Sequence, residues 1–171
     1  MASVRKATVD DAPAIARVHI LSWLETYTGI VPQSHLDTLN IETRAKYWAT
    51  HLENPENFDI FVGEVDGEIC GIAAGDRARE QADHGYEGQI LLIYVLQAAK
   101  GKGLGRMLMR EVRDYLGEKG IKRAMLWVLK DNPSRGFYEH MGGRAFEEKM
   151  MAIAGTEVAE VAYGFEDLTS F

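Results

Sequence analysis

The stretch that most constrains the fold of this chain covers residues 90–110 and reads ILLIYVLQAAKGKGLGRMLMR. Residues 90–96 are almost wholly apolar and rich in branched and aromatic side chains, which predicts a β-strand that is buried on both faces. Apolar residues then recur at spacings of three and four from Leu104 to Leu116, which predicts an amphipathic helix. Three alternating glycines lie between the two: Gly101, Gly103 and Gly105. The sequence therefore predicts a buried strand that passes through a glycine-rich turn into a helix.

A turn of this kind is suited to binding an anion. Glycine lets the backbone approach a ligand closely, and the first N–H groups of a helix lack acceptors within the helix and lie at the positive end of its dipole. Residues 100–110 include four basic residues and no acidic one, although the formal net charge of the chain is -7. We therefore expect this turn to bind phosphate, and a diphosphate fits it well.

Two common phosphate-binding templates do not match the turn. A Walker A loop ends in Gly-Lys-Ser or Gly-Lys-Thr, and this turn contains neither. A dinucleotide-binding fingerprint requires a different position for the third glycine and an acidic residue about 20 residues further on.

Residues 95–105 resemble instead the acetyl-CoA signature of the GNAT superfamily of N-acetyltransferases. That signature is a strand-ending valine followed by Gln or Arg, two residues, Gly, one residue, and Gly or Ala, and here it reads Lys100-Gly-Lys-Gly-Leu-Gly105. Lys100 departs from the pattern but keeps the positive charge. A second stretch, NPSRGFYEHMG at residues 132–142, resembles the family's Asn, Phe-Tyr and Gly element. The resemblance implies that acetyl-CoA is the cosubstrate.

The turn signals and periodicity along the chain predict the GNAT order of elements. Strands are predicted at residues 4–7, 59–65, 68–76, 90–96, 121–129, 144–154 and 157–165. Helices are predicted at residues 8–29, 32–39, 42–52, 104–116 and 132–142, with breaks at 54–57 and 77–85. Asp66-Gly67 and Gly155-Thr156 are the predicted hairpin turns.

The resemblance covers essentially the whole chain and implies an α/β (α+β) fold. In this GNAT fold a mixed, mostly antiparallel central sheet of about seven strands is splayed at the acyl-CoA site and flanked by about four helices. We expect a single N-acetyltransferase domain over residues 1–171, because this length is typical of one domain.

The resemblance also implies which residues bind acetyl-CoA. The backbone of Ile93, Tyr94 and Val95 would pair with the pantetheine arm like an added strand and polarise the thioester carbonyl. The diphosphate would be held by the turn residues Lys100, Gly101, Lys102, Gly103, Leu104, Gly105 and Arg106. Asn132 would contact the cofactor, cap its helix, or do both, and Arg135 would meet either phosphate or solvent. A plain strand-to-helix connection with solvated lysines is the alternative for the turn.

Tyr138 occupies the family's tyrosine position, which implies a general acid that protonates the coenzyme A thiolate. The ordinary pKa of a thiol lies below that of tyrosine, so a neutral phenol can at least donate a hydrogen bond to the thiolate. A core tyrosine packed beside Phe137 is the alternative.

The base is less well defined by the sequence. Many family members have a glutamate where this chain has Gln89, which cannot accept a proton. Glu87 lies two residues earlier on the same strand face and is the candidate base, acting directly or through water. It equally fits a solvent-exposed carboxylate, and no base is needed if the amine arrives deprotonated.

The segment SWLETYTGIVP, residues 22–32, resembles the first helix and following loop of the bacterial polyamine acetyltransferase branch. This resemblance implies an acceptor pocket that includes Trp23, Tyr27 and Ile30, with Gln89 as a further candidate. Trp23 and Tyr27 would pack against an aliphatic amine or make cation-π contacts, although a core-facing helix stripe contains the same residue types.

The predicted reaction is direct transfer of the acetyl group to a primary amine, with a small cationic amine such as a polyamine as first acceptor. A protein N-terminus, an amino acid or an aminoglycoside-like drug remains open.

Composition excludes several other classes of protein. A pI near 5.2 argues against a general nucleic-acid binder and is compatible with a cationic acceptor. The single cysteine rules out an intramolecular disulfide and a cysteine-based metal site, and the five histidines show no ligand-like pairing, so we predict no metal. The N-terminus lacks a signal-peptide core and no apolar run reaches the length of a membrane span, which predicts a cytoplasmic enzyme without membrane contact.

Two rival functions remain at this point. Gln89 at the usual base position is compatible with a catalytically silent acyl-CoA-binding sensor or regulatory module, and the turn alone is compatible with a nucleotide binder that does not use coenzyme A. The final hairpin offers an edge at which a homodimer could form.

Overall fold

The computed structural model describes residues 1–54, 58–78 and 84–171. Its strands are β1 (Ala2–Lys6), β2 (Ile60–Val65), β3 (Glu68–Arg77), β4 (Gly88–Val95), β5 (Ala124–Leu129), β6 (Arg144–Ile153) and β7 (Thr156–Phe165). Its α-helices are α1 (Ala12–Tyr27), α2 (Gln33–Leu36), α3 (Ile41–Glu53), α4 (Leu104–Glu118) and α5 (Arg135–His140). The strands form one seven-stranded sheet in the order β1-β2-β3-β4-β5-β7-β6. All neighbours are antiparallel except β4 and β5, so the predicted mixed, mostly antiparallel sheet is confirmed.

Several element ends differ from the predicted ones for local reasons. A short 3₁₀ turn, Val9–Asp11, precedes α1, and in it the Thr8 N–H donates to Asp11 Oδ2 at 2.8 Å. The helix predicted from Asn132 begins only at Arg135, because Asn132 Oδ1 accepts from the Ser134 N–H at 2.8 Å and closes a separate turn first. Parts of the two predicted breaks, residues 55–57 and 79–83, lie outside the described residues.

The two hairpin turns require positive φ at both central positions. Asp66 and Gly67 have φ values of 52° and 84°, which confirms the first predicted turn. The second turn lies at Ala154 and Gly155, with φ values of 49° and 78°, one residue before the predicted Gly155-Thr156. Alanine rarely adopts positive φ, and the sequence signal was therefore misplaced by one residue.

Helix α4 lies across one face of the sheet, directly over glycines in β2 and β3. A Cβ atom added to Gly63 would lie 2.8 Å from Leu104 Cδ1, and one added to Gly75 would lie 2.6 Å from Val112 Cγ1. These glycines therefore let the helix approach the sheet closely enough to bury its apolar stripe. Helices α1 and α3 cover the other face of the sheet, with Ile15 and Trp48 in its core.

We expect Gly75→Ala to lower the free energy of unfolding by about 2 kcal/mol, because the added methyl group overpacks the contact with Val112. Gly117 is the matched control: it lies in α4 and a Cβ there would have nothing within 4 Å. Gly117→Ala should raise the free energy of unfolding by about 0.5–1 kcal/mol through helix propensity. Urea denaturation measures both values, and equal effects of the two substitutions would contradict this account of the packing.

Strands β4 and β5 pair only where they begin and then part. Their register contains two residue pairs, Gly88 with Ala124 and Gln89 with Met125. Beyond these pairs, the side of β4 that faces β5 has no strand partner within the described part of the chain. Residues 91–95 are therefore only half-buried, and the prediction of burial on both faces is wrong for them.

A β-bulge in β4 accompanies the parting of the strands. Ile90 pairs with Gly75 and Leu92 pairs with Ala74, which leaves Leu91 as an extra residue. A bulge of this kind bends a strand and reverses the alternation of its side chains. Ile90 packs on the α4 side of the sheet before the bulge, whereas Ile93 packs there after it.

Candidate active site

The parted strands open a cavity of about 220 Å³, which we call the gap cavity. Its walls come from β4, β5, β6, β7, α1 and the segment around the start of α5, and they include Trp23, Tyr27, Tyr94, Asn132, Tyr138 and Glu160. A second cavity of about 560 Å³, the turn cavity, lies between the glycine-rich turn and α5. Ile93, Val95, Lys100, Ser134 and Tyr138 line both cavities. The two cavities therefore meet along the free edge of β4.

The three glycines of the turn are needed for two different reasons. Gly101 and Gly103 have φ values of 76° and 80°, which other residues rarely adopt. Gly105 lies beneath the ring of Phe137 instead. A Cβ atom there would lie only 3.3 Å from Phe137 Cζ, so a glycine lets the ring pack closely. The glycine-rich turn is thus packed against α5, and the two motifs that resemble the GNAT family form one unit in space.

The backbone of this turn can bind an anion. From Gly101 to Arg106, no backbone N–H group donates to a protein acceptor within the described residues, and the first bond of α4 runs from the Met107 N–H to Gly103 O at 3.1 Å. The Lys100 Nζ atom lies 3.5 Å from Ser134 Oγ, at the mouth shared by the two cavities. Free N–H groups at a helix start beside basic side chains fit a diphosphate.

Tyr138 is packed through its ring and open at its hydroxyl group. The residue is 7% exposed, and its ring lies 5.5 Å from Phe137 and 6.1 Å from Tyr163 between centroids. Its hydroxyl group makes no hydrogen bond within the described part of the chain, although it lies where the gap and turn cavities meet. Burial raises the pKa of Tyr138 above the ordinary tyrosine value, so the phenol stays protonated. A protonated, unpartnered hydroxyl group is available as a proton donor.

Two aromatic residues of α1 form one wall of the gap cavity. The rings of Trp23 and Tyr27 lie 4.5 Å apart. Trp23 Nε1 donates to Tyr94 Oη at 3.1 Å, and Asn132 Nδ2 donates to Tyr27 Oη at 2.9 Å. Burial raises the pKa of Tyr27 to about 12. Asn132 thus joins α1 to the turn before α5, and both rings are held in place with cavity on one side.

The structure does not bring Glu87 and Gln89 to the gap cavity. Both lie where β4 begins and is still close to β5, and neither lines the cavity. Glu87 is exposed and eight residues from Val95, which corresponds to about 25 Å along a strand. The bulge at Leu91 also reverses the alternation of side chains, so Glu87 and Gln89 do not share the face that a regular strand would give them with Ile93 and Val95.

Arg135 and Ile30 also lie away from the cavities. Arg135 Nε donates to Tyr163 Oη at 3.0 Å and its Nη1 donates to Lys130 O at 2.9 Å, so the guanidinium is held towards β7 rather than the turn. Ile30 is half-buried and packs in the cluster that contains Tyr27 and Leu36, without lining the gap cavity.

Sequence reasoning missed Glu160 on β7. Its side chain is 14% exposed, and it is the only carboxylate among the described residues that line the gap cavity. The sequence does contain a signal, since Glu160 lies between Val158 and Ala162 at two-residue spacing on an otherwise apolar strand face.

A third cavity of about 440 Å³ lies between α1, α2 and α3, and we call it the outer cavity. Trp23 lines it and the gap cavity alike, so the two meet at that side chain. The charged side chain in its lining is basic: it is the guanidinium group of Arg44. Burial and then the charge of Arg44 lower the pKa of His19 to about 4, which keeps this imidazole neutral.

Within the described residues, no group of three or more His, Cys, Asp or Glu side chains is arranged to bind a metal ion. The helices described include none with the length and apolar character needed to cross a membrane. Cys70 lies half-buried on β3 and does not line the gap cavity.

A sheet that parts beside a glycine-rich turn suited to an anion, with a protonated phenol between them, is compatible with an acyltransferase that uses a coenzyme A thioester. The sequence profile of the Acetyltransferase (GNAT) family matches residues 18–143. The chain therefore belongs to this family and is an acetyl-CoA-dependent N-acetyltransferase.

Individual relatives agree with this assignment. The uncharacterized N-acetyltransferase YuaI of Bacillus subtilis is 31% identical over 171 residues, covering 99% of this chain and 96% of that protein. Spermidine N(1)-acetyltransferase of Thermoplasma acidophilum is 27% identical over 141 residues, covering 78% and 81%. The crystal structure of PaiA N-acetyltransferase from Thermoplasma acidophilum, in complex with coenzyme A, has a TM-score of 0.68 at 17% identity and covers 94% of this chain and 98% of that one. At that identity the structural match demonstrates a shared fold.

Proposed function

We propose that this enzyme transfers the acetyl group of acetyl-CoA to a primary amine by direct attack in a ternary complex, and that a small cationic amine such as a polyamine is its acceptor. The observation that carries the proposal is the Tyr138 hydroxyl group, which is protonated, open and without a hydrogen-bond partner within the described residues, on a side chain that lines both the gap and turn cavities. Residues 1–171 act as one catalytic domain in this proposal.

Each part of the reaction has a group suited to it. The turn N–H groups hold the diphosphate, together with Lys100 and Arg106 from the lining of the turn cavity, whereas Lys102 does not line that cavity. The free edge of β4 at Ile93–Val95 binds the pantetheine amides and donates to the thioester oxygen as negative charge develops there. The amine nitrogen then bonds to the carbonyl carbon, the carbon–sulfur bond breaks, and Tyr138 gives its proton to the leaving sulfur.

The amine has to lose a proton before or during attack. Glu87 is exposed and outside the gap cavity, so the geometry favours an acceptor that arrives deprotonated over proton removal by Glu87. The described lining of the gap cavity contains no cysteine, which favours direct attack over a thioester intermediate on the enzyme.

Three observations support a cationic aliphatic acceptor. Trp23 and Tyr27 present aromatic rings to the gap cavity, and such rings attract cations. Glu160 adds a carboxylate to the same cavity. A relative at 27% identity is named a spermidine acetyltransferase.

An amino acid is the second candidate acceptor, and the outer cavity favours it. The Arg44 guanidinium there contacts the Tyr47 ring at 5.6 Å to its centroid, and no carboxylate lines this cavity within the described residues. An acceptor with its amine in the gap cavity and its carboxylate near Arg44 would span the two cavities past Trp23.

The test is thiol release from acetyl-CoA with spermidine, butylamine and free amino acids as acceptors. We expect the highest kcat/KM with spermidine, and intersecting initial-rate lines because both substrates must be bound together. The highest kcat/KM with an amino acid would move the acceptor class to the second candidate. Tight acetyl-CoA binding without thiol release would indicate a silent sensor, and competition by ATP or NAD in place of coenzyme A would indicate a nucleotide binder.

A further inference from the structure

The ammonium group of Lys149 lies against two residues that form part of the wall of the gap cavity. Leu129, Glu160 and Lys149 lie side by side across β5, β7 and β6. The Lys149 Nζ atom is 3.3 Å from Glu160 Oε1 and 4.1 Å from the centroid of the Trp127 ring. A carboxylate on one side and an aromatic face on the other are the two groups that bind an alkylammonium well.

The three side chains differ in their relation to the cavity. Trp127 and Glu160 line it, whereas Lys149 does not. The Lys149 side chain is 49% exposed, while that of Glu160 is 14% exposed. The lysine can therefore swing into water at little cost, but the carboxylate and the ring stay at the cavity wall.

We propose that Glu160 and Trp127 bind a second, non-reacting cationic nitrogen of the acceptor, and that the acceptor displaces Lys149 from this site. The inference rests on the proposed function and narrows its substrate class to diamines and polyamines. The nitrogen at this site is not the reacting one, because a carboxylate partner keeps an amine protonated and a protonated amine cannot attack the thioester. The reacting nitrogen lies further along the cavity, towards Tyr138 and the edge of β4.

The alternative is a structural role alone. Lys149 and Glu160 are directly opposite in an antiparallel pair, and cross-strand ion pairs stabilise hairpins without any ligand. The same sheet supplies a matched control, since Lys130 Nζ lies 2.8 Å from Glu148 Oε1 and Glu148 does not line the gap cavity. A structural role predicts similar behaviour of the two carboxylates, whereas an acceptor site predicts a difference.

The experiment compares KM for 1,4-diaminobutane with KM for butylamine at saturating acetyl-CoA. Glu160→Gln should raise the KM of the diamine by about 10-fold or more and leave that of butylamine within about twofold, because only the diamine has a second ammonium group. Lys149→Met should lower the KM of the diamine several-fold, since it removes the competing ammonium. Glu148→Gln should change neither value, and thermal unfolding of every variant checks that it is folded.

The possible results distinguish failure of the acceptor site from failure of the proposed function. A rise of both KM values together in Glu160→Gln, or no change in the ratio, would overturn the acceptor site while thiol release itself still supported the proposed function. A higher diamine KM in Lys149→Met would also overturn it, because the lysine would then assist binding. Absence of thiol release from the wild-type protein with every amine would overturn the proposed function first and the acceptor site with it.

Discussion

Replacing Tyr138 by phenylalanine is expected to lower kcat about 100-fold or more and to leave the KM of acetyl-CoA within about twofold. The substitution keeps the ring that packs between Phe137 and Tyr163 and removes only the hydroxyl group. That hydroxyl group has no protein partner in the described part of the chain, so its loss leaves no buried group unsatisfied. The effect should therefore fall on the leaving thiolate rather than on the fold.

The pH dependence of the wild-type rate follows in part from the pKa of Tyr138. Burial raises the pKa of this phenol above the ordinary tyrosine value, so the proton donor is present throughout the range of an ordinary assay. The wild-type rate should then rise with pH as the amine loses its proton, without a falling limb from Tyr138.

Tyr115→Phe is the control for Tyr138→Phe. The Tyr115 hydroxyl group accepts from the Asp59 N–H at 3.2 Å, and Tyr115 lines neither the gap nor the turn cavity. Its removal should alter stability but not kcat. Stopped-time thiol assays over a range of pH measure both variants, and a Tyr138→Phe enzyme with wild-type kcat would remove Tyr138 from the mechanism.

The second large effect is expected on coenzyme A binding in Gly103→Ala. Gly103 precedes α4 with a φ of 80°, and an alanine held there is strained by about 1–2 kcal/mol. Relief of this strain turns the N–H groups of Leu104, Gly105 and Arg106 away from their common direction. We expect the Kd of coenzyme A to rise about 10-fold or more, because each of these groups loses its phosphate geometry.

Isothermal titration calorimetry with coenzyme A measures this change directly. Gly117→Ala is the control, since it makes the same substitution near the opposite end of α4, away from the ligand. Its Kd should equal that of the wild type. Unchanged affinity in Gly103→Ala would show that the turn does not hold the diphosphate.

The elements that the sequence predicted well are those with local signals. The glycine-rich turn and α4 follow from spacing within residues 90–116, and the first hairpin follows from Asp66-Gly67 alone. The parting of β4 from β5 was predicted from the family resemblance and not from the residues of the two strands. Strand pairing between distant segments decides where β4 is exposed, and no pattern within β4 reports it.

In the candidate site, too, the residues within the two motifs were predicted well and those that depend on strand pairing were not. Trp23, Tyr27, Asn132 and Tyr138 all line the gap cavity, as expected if the two segments that resemble the GNAT family form one site. Gln89 was selected by its family position and Glu87 by its place two residues earlier on a regular strand, but the bulge at Leu91 interrupts that regular alternation before residues 93–95. Glu160 reaches the cavity from β7, whose position beside β5 could not be derived from the residues of β7.

Amide hydrogen exchange of the wild-type protein with and without coenzyme A, followed residue by residue by NMR, shows whether the cosubstrate binds along β4 and the glycine-rich turn. The N–H groups from Gly101 to Arg106 have no protein acceptor within the described residues, so exchange there should be fast in the free protein and slow when the diphosphate accepts from them. Slower exchange should extend to Ile93–Val95 along the free edge of β4. Protection confined to the outer cavity around Arg44, with residues 101–106 unchanged, would contradict the placement of acetyl-CoA in the gap.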